Sequence, residues 1–88
     1  MYDIKLFGIG SSKYRLLSNN ILTAIRDLRI DAQIEQIQEI EAFIKYNIQV
    51  IPTLMIDNKI KIIGRSADVS ELKRLLKQVK TKSQFKKS

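Results

Sequence analysis

Gly8-Ile9-Gly10-Ser11-Ser12-Lys13-Tyr14 and Ile51-Pro52-Thr53 are the two segments of this 88-residue chain whose residue types and spacing could do chemistry. The first places glycines, hydroxyls and a lysine where a strand gives way to a helix, and backbone N–H groups at a helix start attract anions. It does not follow the Gly-x-x-x-x-Gly-Lys-[Ser/Thr] pattern of a nucleotide-binding loop, so only weak anion binding is expected there. The second is an X-Pro step, which restricts the backbone at Ile51 and shapes the chain's entry into the strand that follows. No cysteine and no histidine occur anywhere. Disulfides, thiolate metal sites and the usual general base are therefore missing, and neither a metal nor a cofactor is expected. A serine hydroxyl at Ser11 is not ionised at neutral pH and has no histidine to activate it.

The elements that must hold these segments follow from periodicity. Tyr2 to Phe7 alternates Asp3 and Lys5 with Ile4 and Leu6, and Gly8-x-Gly10 stops it, which predicts a strand running into a tight loop. From Lys13 the apolar residues Tyr14, Leu17, Ile21, Ala24, Ile25 and Leu28 recur every three or four positions, one stripe of a long helix. Ser11 or Ser12 can cap its start. Asp31 to Ile37 returns to period two. Ile40, Phe43 and Ile44 recur at helical spacing, with Glu41 and Lys45 placed to pair and Asn47 suited to a left-handed helix end. Thr53–Ile56 and Ile60–Ile63 flank Asp57-Asn58-Lys59 as a hairpin that Gly64 ends. Asp68 with Glu71 predicts a capping box, and Val69, Leu72, Leu75, Leu76 and Val79 the buried face of a last helix.

The order β-α-β-α-β-β-α, with a loop and helix after the first strand and an X-Pro before the third, resembles the thioredoxin-like core. More narrowly, the chain resembles the small thioredoxin-like "redox-active disulfide protein" family of bacteria and archaea. The resemblance implies an α/β fold with a four-stranded mixed sheet and helices on both faces, over residues 1–79. It also implies a Gly-x-Gly-Cys-x-x-Cys loop, where this chain has Gly8, Gly10, Ser11 and Tyr14. In such a family the first thiol is ionised at the helix start and the second resolves the mixed disulfide. With Ser11 and Tyr14 in those places, dithiol exchange has no reactive group. The reading that follows is a domain without dithiol redox activity that binds a protein or peptide through Ser11, Ser12, Tyr14, Ile51, Pro52 and Thr53. The alternative is a thiol-disulfide oxidoreductase in which Ser11 replaces the nucleophile.

The formal charge is +7, and Lys77, Lys80, Lys82, Lys86 and Lys87 supply five of the seven, leaving +2 for the rest of the chain. Residues 80–88 therefore read as a basic, flexible tail. Nucleic-acid binding through residues 77–88 is a third, weaker reading, since a single aromatic, Phe85, accompanies the lysines. No apolar run approaches the roughly 20 residues of a membrane span. A cytoplasmic protein, monomeric or weakly dimeric through an open sheet edge, is expected.

Overall fold

The computed structural model describes the backbone of residues 1–87 and the side chains of residues 1–78. Its elements are β1 (Tyr2–Phe7), α1 (Ser12–Leu28), β2 (Ala32–Ile37), α2 (Ile40–Lys45), β3 (Thr53–Ile56), β4 (Lys59–Ile63) and α3 (Val69–Lys87). The expectation for Val79 concerns a side chain outside the described residues, and the backbone of residues 80–87, expected as a flexible tail, belongs to α3.

The sheet order is β2-β1-β3-β4, with β1 parallel to β2 and antiparallel to β3, and β4 antiparallel to β3. β1 runs through the middle because its residues are buried on both faces: Ile4 and Leu6 on one, Lys5 and Phe7 on the other. The first face packs against α1 and α3. There Ile4, Leu6, Leu54, Ile56 and Ile62 from the sheet meet Tyr14, Leu17, Ile21 and Ala24 of α1 and Leu72 and Leu76 of α3. The second face carries a smaller cluster of Phe7, Ile37 and Met55, covered by Ala42, Phe43, Tyr46 and Ile48 around α2. Phe7 meets Phe43 edge-on at 6.2 Å and Tyr46 at 5.4 Å between ring centroids, a geometry that aligns ring edges with ring faces.

Local chemistry explains the boundaries. The β3–β4 turn places Asp57 (φ 50) and Asn58 (φ 67) in the left-handed region, as a two-residue hairpin with right-handed strand twist requires. α1 ends on Arg29 (φ 54), whose N–H reaches back to the Arg26 carbonyl. Asn47 adopts φ 58 just after α2. Three local expectations change. Of the α2 residues spaced to form a buried stripe, Phe43 alone faces the sheet, while Ile40 and Ile44 are 69% and 75% exposed. A six-residue helix lying across a narrow sheet has room for one inward row. No ion pair joins Glu41 to Lys45 among the described residues, and Lys45 Nζ instead lies 5.7 Å from the Tyr46 ring centroid. The capping box is half formed. Asp68 Oδ1 accepts from the Glu71 N–H at 2.8 Å, but the Glu71 carboxylate turns outward to a bidentate pair with Arg65 at 2.7 and 2.9 Å.

Candidate functional site

Both segments singled out in the sequence lie at the same end of the sheet. The β1–β3 register sets Phe7 opposite Thr53, so the Gly8–Ser11 loop leaving β1 and the Ile51-Pro52 step entering β3 are neighbours. Ser11 is the N-cap of α1: its Oγ accepts from the Tyr14 N–H at 3.2 Å, and its carbonyl accepts from the Arg15 N–H at 3.0 Å. No acidic residue occupies the first turn of this 17-residue helix, so its positive end is uncompensated. Ser11 and Ser12 are both exposed.

Tyr14 does not join them on the surface. It is 5% exposed and packs into the larger core beneath the loop. A Cβ on Gly8 would lie 2.5 Å from Tyr14 Cδ1, so the ring occupies the space that a side chain at position 8 would need. This is the physical reason for glycine at Gly8; at Gly10 nothing lies within 4 Å of such an atom. The Tyr14 hydroxyl is buried, and no hydrogen bond closes on it among the described residues, although the Gln38 side chain comes near enough to favour its ionised form somewhat. Burial outweighs that influence and pushes the phenol above its ordinary value.

On the other segment, the Ile51–Pro52 peptide bond is cis. Pro52 and Thr53 are buried and Ile51 is exposed. The Thr53 hydroxyl donates to the Val50 carbonyl at 2.5 Å, and the Gly64 N–H donates to the Pro52 carbonyl at 2.7 Å. Thr53 thus pins the loop from below and presents no hydroxyl to the surface. Gly64 sits at φ 70, and a Cβ there would lie 2.9 Å from Val50 Cγ1. Among the described residues no hydrogen bond engages the Ile51 N–H or carbonyl. Of the six candidate residues, then, the surface holds Ser11, Ser12 and Ile51, with Tyr14, Pro52 and Thr53 as its support.

One residue of interest was not visible as such in the sequence. Lys5 alternates with apolar residues and reads as solvent-facing, yet it is 9% exposed, because α2 and Tyr46 cover that face of β1. Its Nζ lies 2.8 Å from Asp3 Oδ2 and 5.9 Å from the Tyr46 ring centroid. The Asp3 hydrogen bond raises the lysine above its ordinary value against the opposing pull of burial. No group of three or more potential metal ligands gathers among the described residues.

These shifts fix a pH dependence. Tyr14 and Tyr2 are both raised, chiefly by burial, Tyr2 also by the Asp57 charge. The unfolded chain therefore loses its phenolic protons first, near pH ~10, and stability falls as pH rises from there through the folded-state values. Lys5, also raised, acts with the same sign: its contribution is complete below its unfolded value and is lost as pH climbs past the folded one. The urea midpoint is expected to drop between about pH 8 and about pH 11, and to drop less in Tyr14→Phe, which has one phenol fewer. Parallel profiles for the two proteins would show that Tyr14 does not carry this linkage.

A strand-helix loop with a capped helix start, set beside an X-Pro step on a β2-β1-β3-β4 mixed sheet, defines a thioredoxin-like domain. The comparisons agree: the family model described as "Thioredoxin domain" matches residues 2–77. A protein named thioredoxin from Methanothermobacter thermautotrophicus is 33% identical over 76 residues, covering 86% of this chain and 99% of that protein. The chain belongs to the thioredoxin domain family. No described helix is long and apolar enough to cross a membrane.

Proposed function

We propose that this domain is a protein- or peptide-binding member of its family without dithiol redox activity, using the surface around Ser11, Ser12 and Ile51. The observation that carries the reading is the exposed Ile51, whose N–H and carbonyl are unengaged among the described residues, next to the uncompensated positive end of α1. Backbone groups of this kind pair with an extended segment, and main-chain pairing supplies affinity without a reactive side chain. Cysteine is absent from the chain, so exchange of disulfides has no nucleophile on which to begin. Tyr14 serves this surface from below, filling the space under the Gly8 loop.

The test uses Ile51→Asp, a change at an exposed position that places a carboxylate where a partner's backbone would lie. Capture of binding proteins from a cell extract on the immobilised domain, quantified by mass spectrometry, is expected to lose its specific partner with Ile51→Asp and to keep it with Gln49→Asp, a nearby exposed control. Equal recovery by wild type and Ile51→Asp would remove the reading.

A further inference from the structure

We infer that the open edge of β4 is a second docking surface, one that takes an extended segment of another protein in which aliphatic and acidic residues alternate. It lies beside the Ile51 loop and goes beyond the function proposed for that loop. β4 ends the sheet. Because the Gly64 N–H donates to the Pro52 carbonyl, the antiparallel alternation turns the backbone groups of Ile63, opposite Thr53, away from β3 and toward the open side. The edge thus offers an unpaired donor and acceptor, the feature that lets a sheet add a strand.

The side chains specify what kind of strand. A register shift between Leu54 and Met55 brings Ile60 opposite Met55 and Ile63 opposite Thr53, so both isoleucines fall on the face that α2 covers. They line a cleft of about 160 Å³ with Ile48 and Val50. Ile60 is 42% and Ile63 58% exposed. On the opposite face Lys59 stands opposite Ile56, and β4 as a whole carries two lysines and no acid. An added strand therefore meets exposed aliphatic carbon on one of its faces and, on the other, the charge of Lys59 beside the buried Ile62.

Copies of this chain do not match that demand. Antiparallel pairing of β4 with a second β4 sets Lys59 against Lys61 when centred on Ile60, and Lys61 against its own counterpart when centred on Lys61, and like charges across a strand pair destabilise it. Pairing β4 with the other open edge, β2, lays Gln33 and Glu35 over Ile60 and Ile63, since those residues share the α2 face. An alternating aliphatic and acidic segment satisfies both faces at once.

The probe is a fluorescein-labelled peptide alternating valine and glutamate over about eight residues, an ordinary strand length, with the valine and lysine alternation as its charge-reversed control. Anisotropy and amide chemical-shift mapping on the full chain are expected to show saturable binding, shifts centred on Ile60 to Ile63, and no comparable binding of the lysine peptide. Ile63→Lys, at an exposed position, is expected to weaken binding about tenfold or more, while Ile51→Asp leaves it within about twofold. Absence of binding below about 1 mM, equal binding of both peptides, or indifference to Ile63→Lys would overturn the assignment. Shifts centred on Ile51 and abolished by Ile51→Asp would overturn it as well, while supporting the function proposed for that loop. A wild-type dimer in sedimentation that Ile63→Lys dissolves would give the edge to a second copy, and that too overturns it.

Discussion

Tyr14→Ala is expected to cost about 3 to 5 kcal/mol, the usual range for emptying a buried aromatic site, and Tyr14→Phe is expected to stabilise the domain by about 1 kcal/mol. The opposite signs follow from the two ends of the side chain. Its ring is 5% exposed, is part of the larger core, and fills the space above which Gly8 passes. Truncation leaves a cavity that the glycine loop has no side chain to refill. The hydroxyl, in contrast, is buried with no hydrogen bond closing on it, so the native state bears its desolvation without a compensating bond. Phenylalanine keeps the packing and removes that penalty. Urea denaturation at neutral pH measures both, and against a total of about 5 to 15 kcal/mol the alanine loss brings the domain close to unfolding. A small loss for Tyr14→Ala would mean that the ring is not a structural plug and that the surface above it collapses freely. A loss for Tyr14→Phe would mean that the hydroxyl is satisfied after all, by Gln38 or by water.

The same residue shows what the sequence made legible and what it concealed. Tyr14 continues a stripe at helical spacing through Leu17, Ile21 and Ala24, and that stripe is the buried face of α1. Ser11 is the cap, the hairpin turns at Asp57-Asn58, and the strand and helix order follows the periodicity. These are local signals, each fixed by a few neighbouring residues. What the pattern hid is set by packing between distant elements. Lys5 has the alternation of a solvated strand face but is covered by a helix some forty residues later. Ile40 and Ile44 have helical spacing yet stay exposed, since α2 is short and Phe43 and Tyr46 already fill the inward side. Thr53 belongs to the segment read as a peptide-facing surface, but its hydroxyl closes the loop from within. On β4, strict period two would separate Ile60 from Ile63. The register shift brings them to one face, and so creates the apolar cleft at the edge.

Ser11→Cys is expected to place a thiol whose pKa lies well below the ordinary value of about 8.5, raising its thiolate fraction at neutral pH about tenfold. The cap position already directs the Tyr14 N–H at the side-chain oxygen, at 3.2 Å, and α1 presents an uncompensated positive end there. Sulfur in place of that oxygen inherits both interactions, and each favours the anion over the neutral thiol. Ultraviolet thiolate absorbance against pH and the rate of iodoacetamide alkylation give the value; a pKa at or above that of a free thiol would show that the helix end exerts no such pull. Adding Tyr14→Cys sets a second thiol three residues on, one helical turn away, and the pair is expected to catalyse reduction of a small disulfide by dithiothreitol faster than Ser11→Cys alone. Catalysis no greater than that of the single variant would mean that the scaffold itself, and not merely the residues at 11 and 14, does not support exchange chemistry. The second substitution also empties the space Tyr14 fills, so gain of exchange and loss of stability should arrive together. That coupling is the physical content of a tyrosine at this position: its ring fills the space beneath the Gly8 loop, so the change that introduces a thiol there also removes the loop's support.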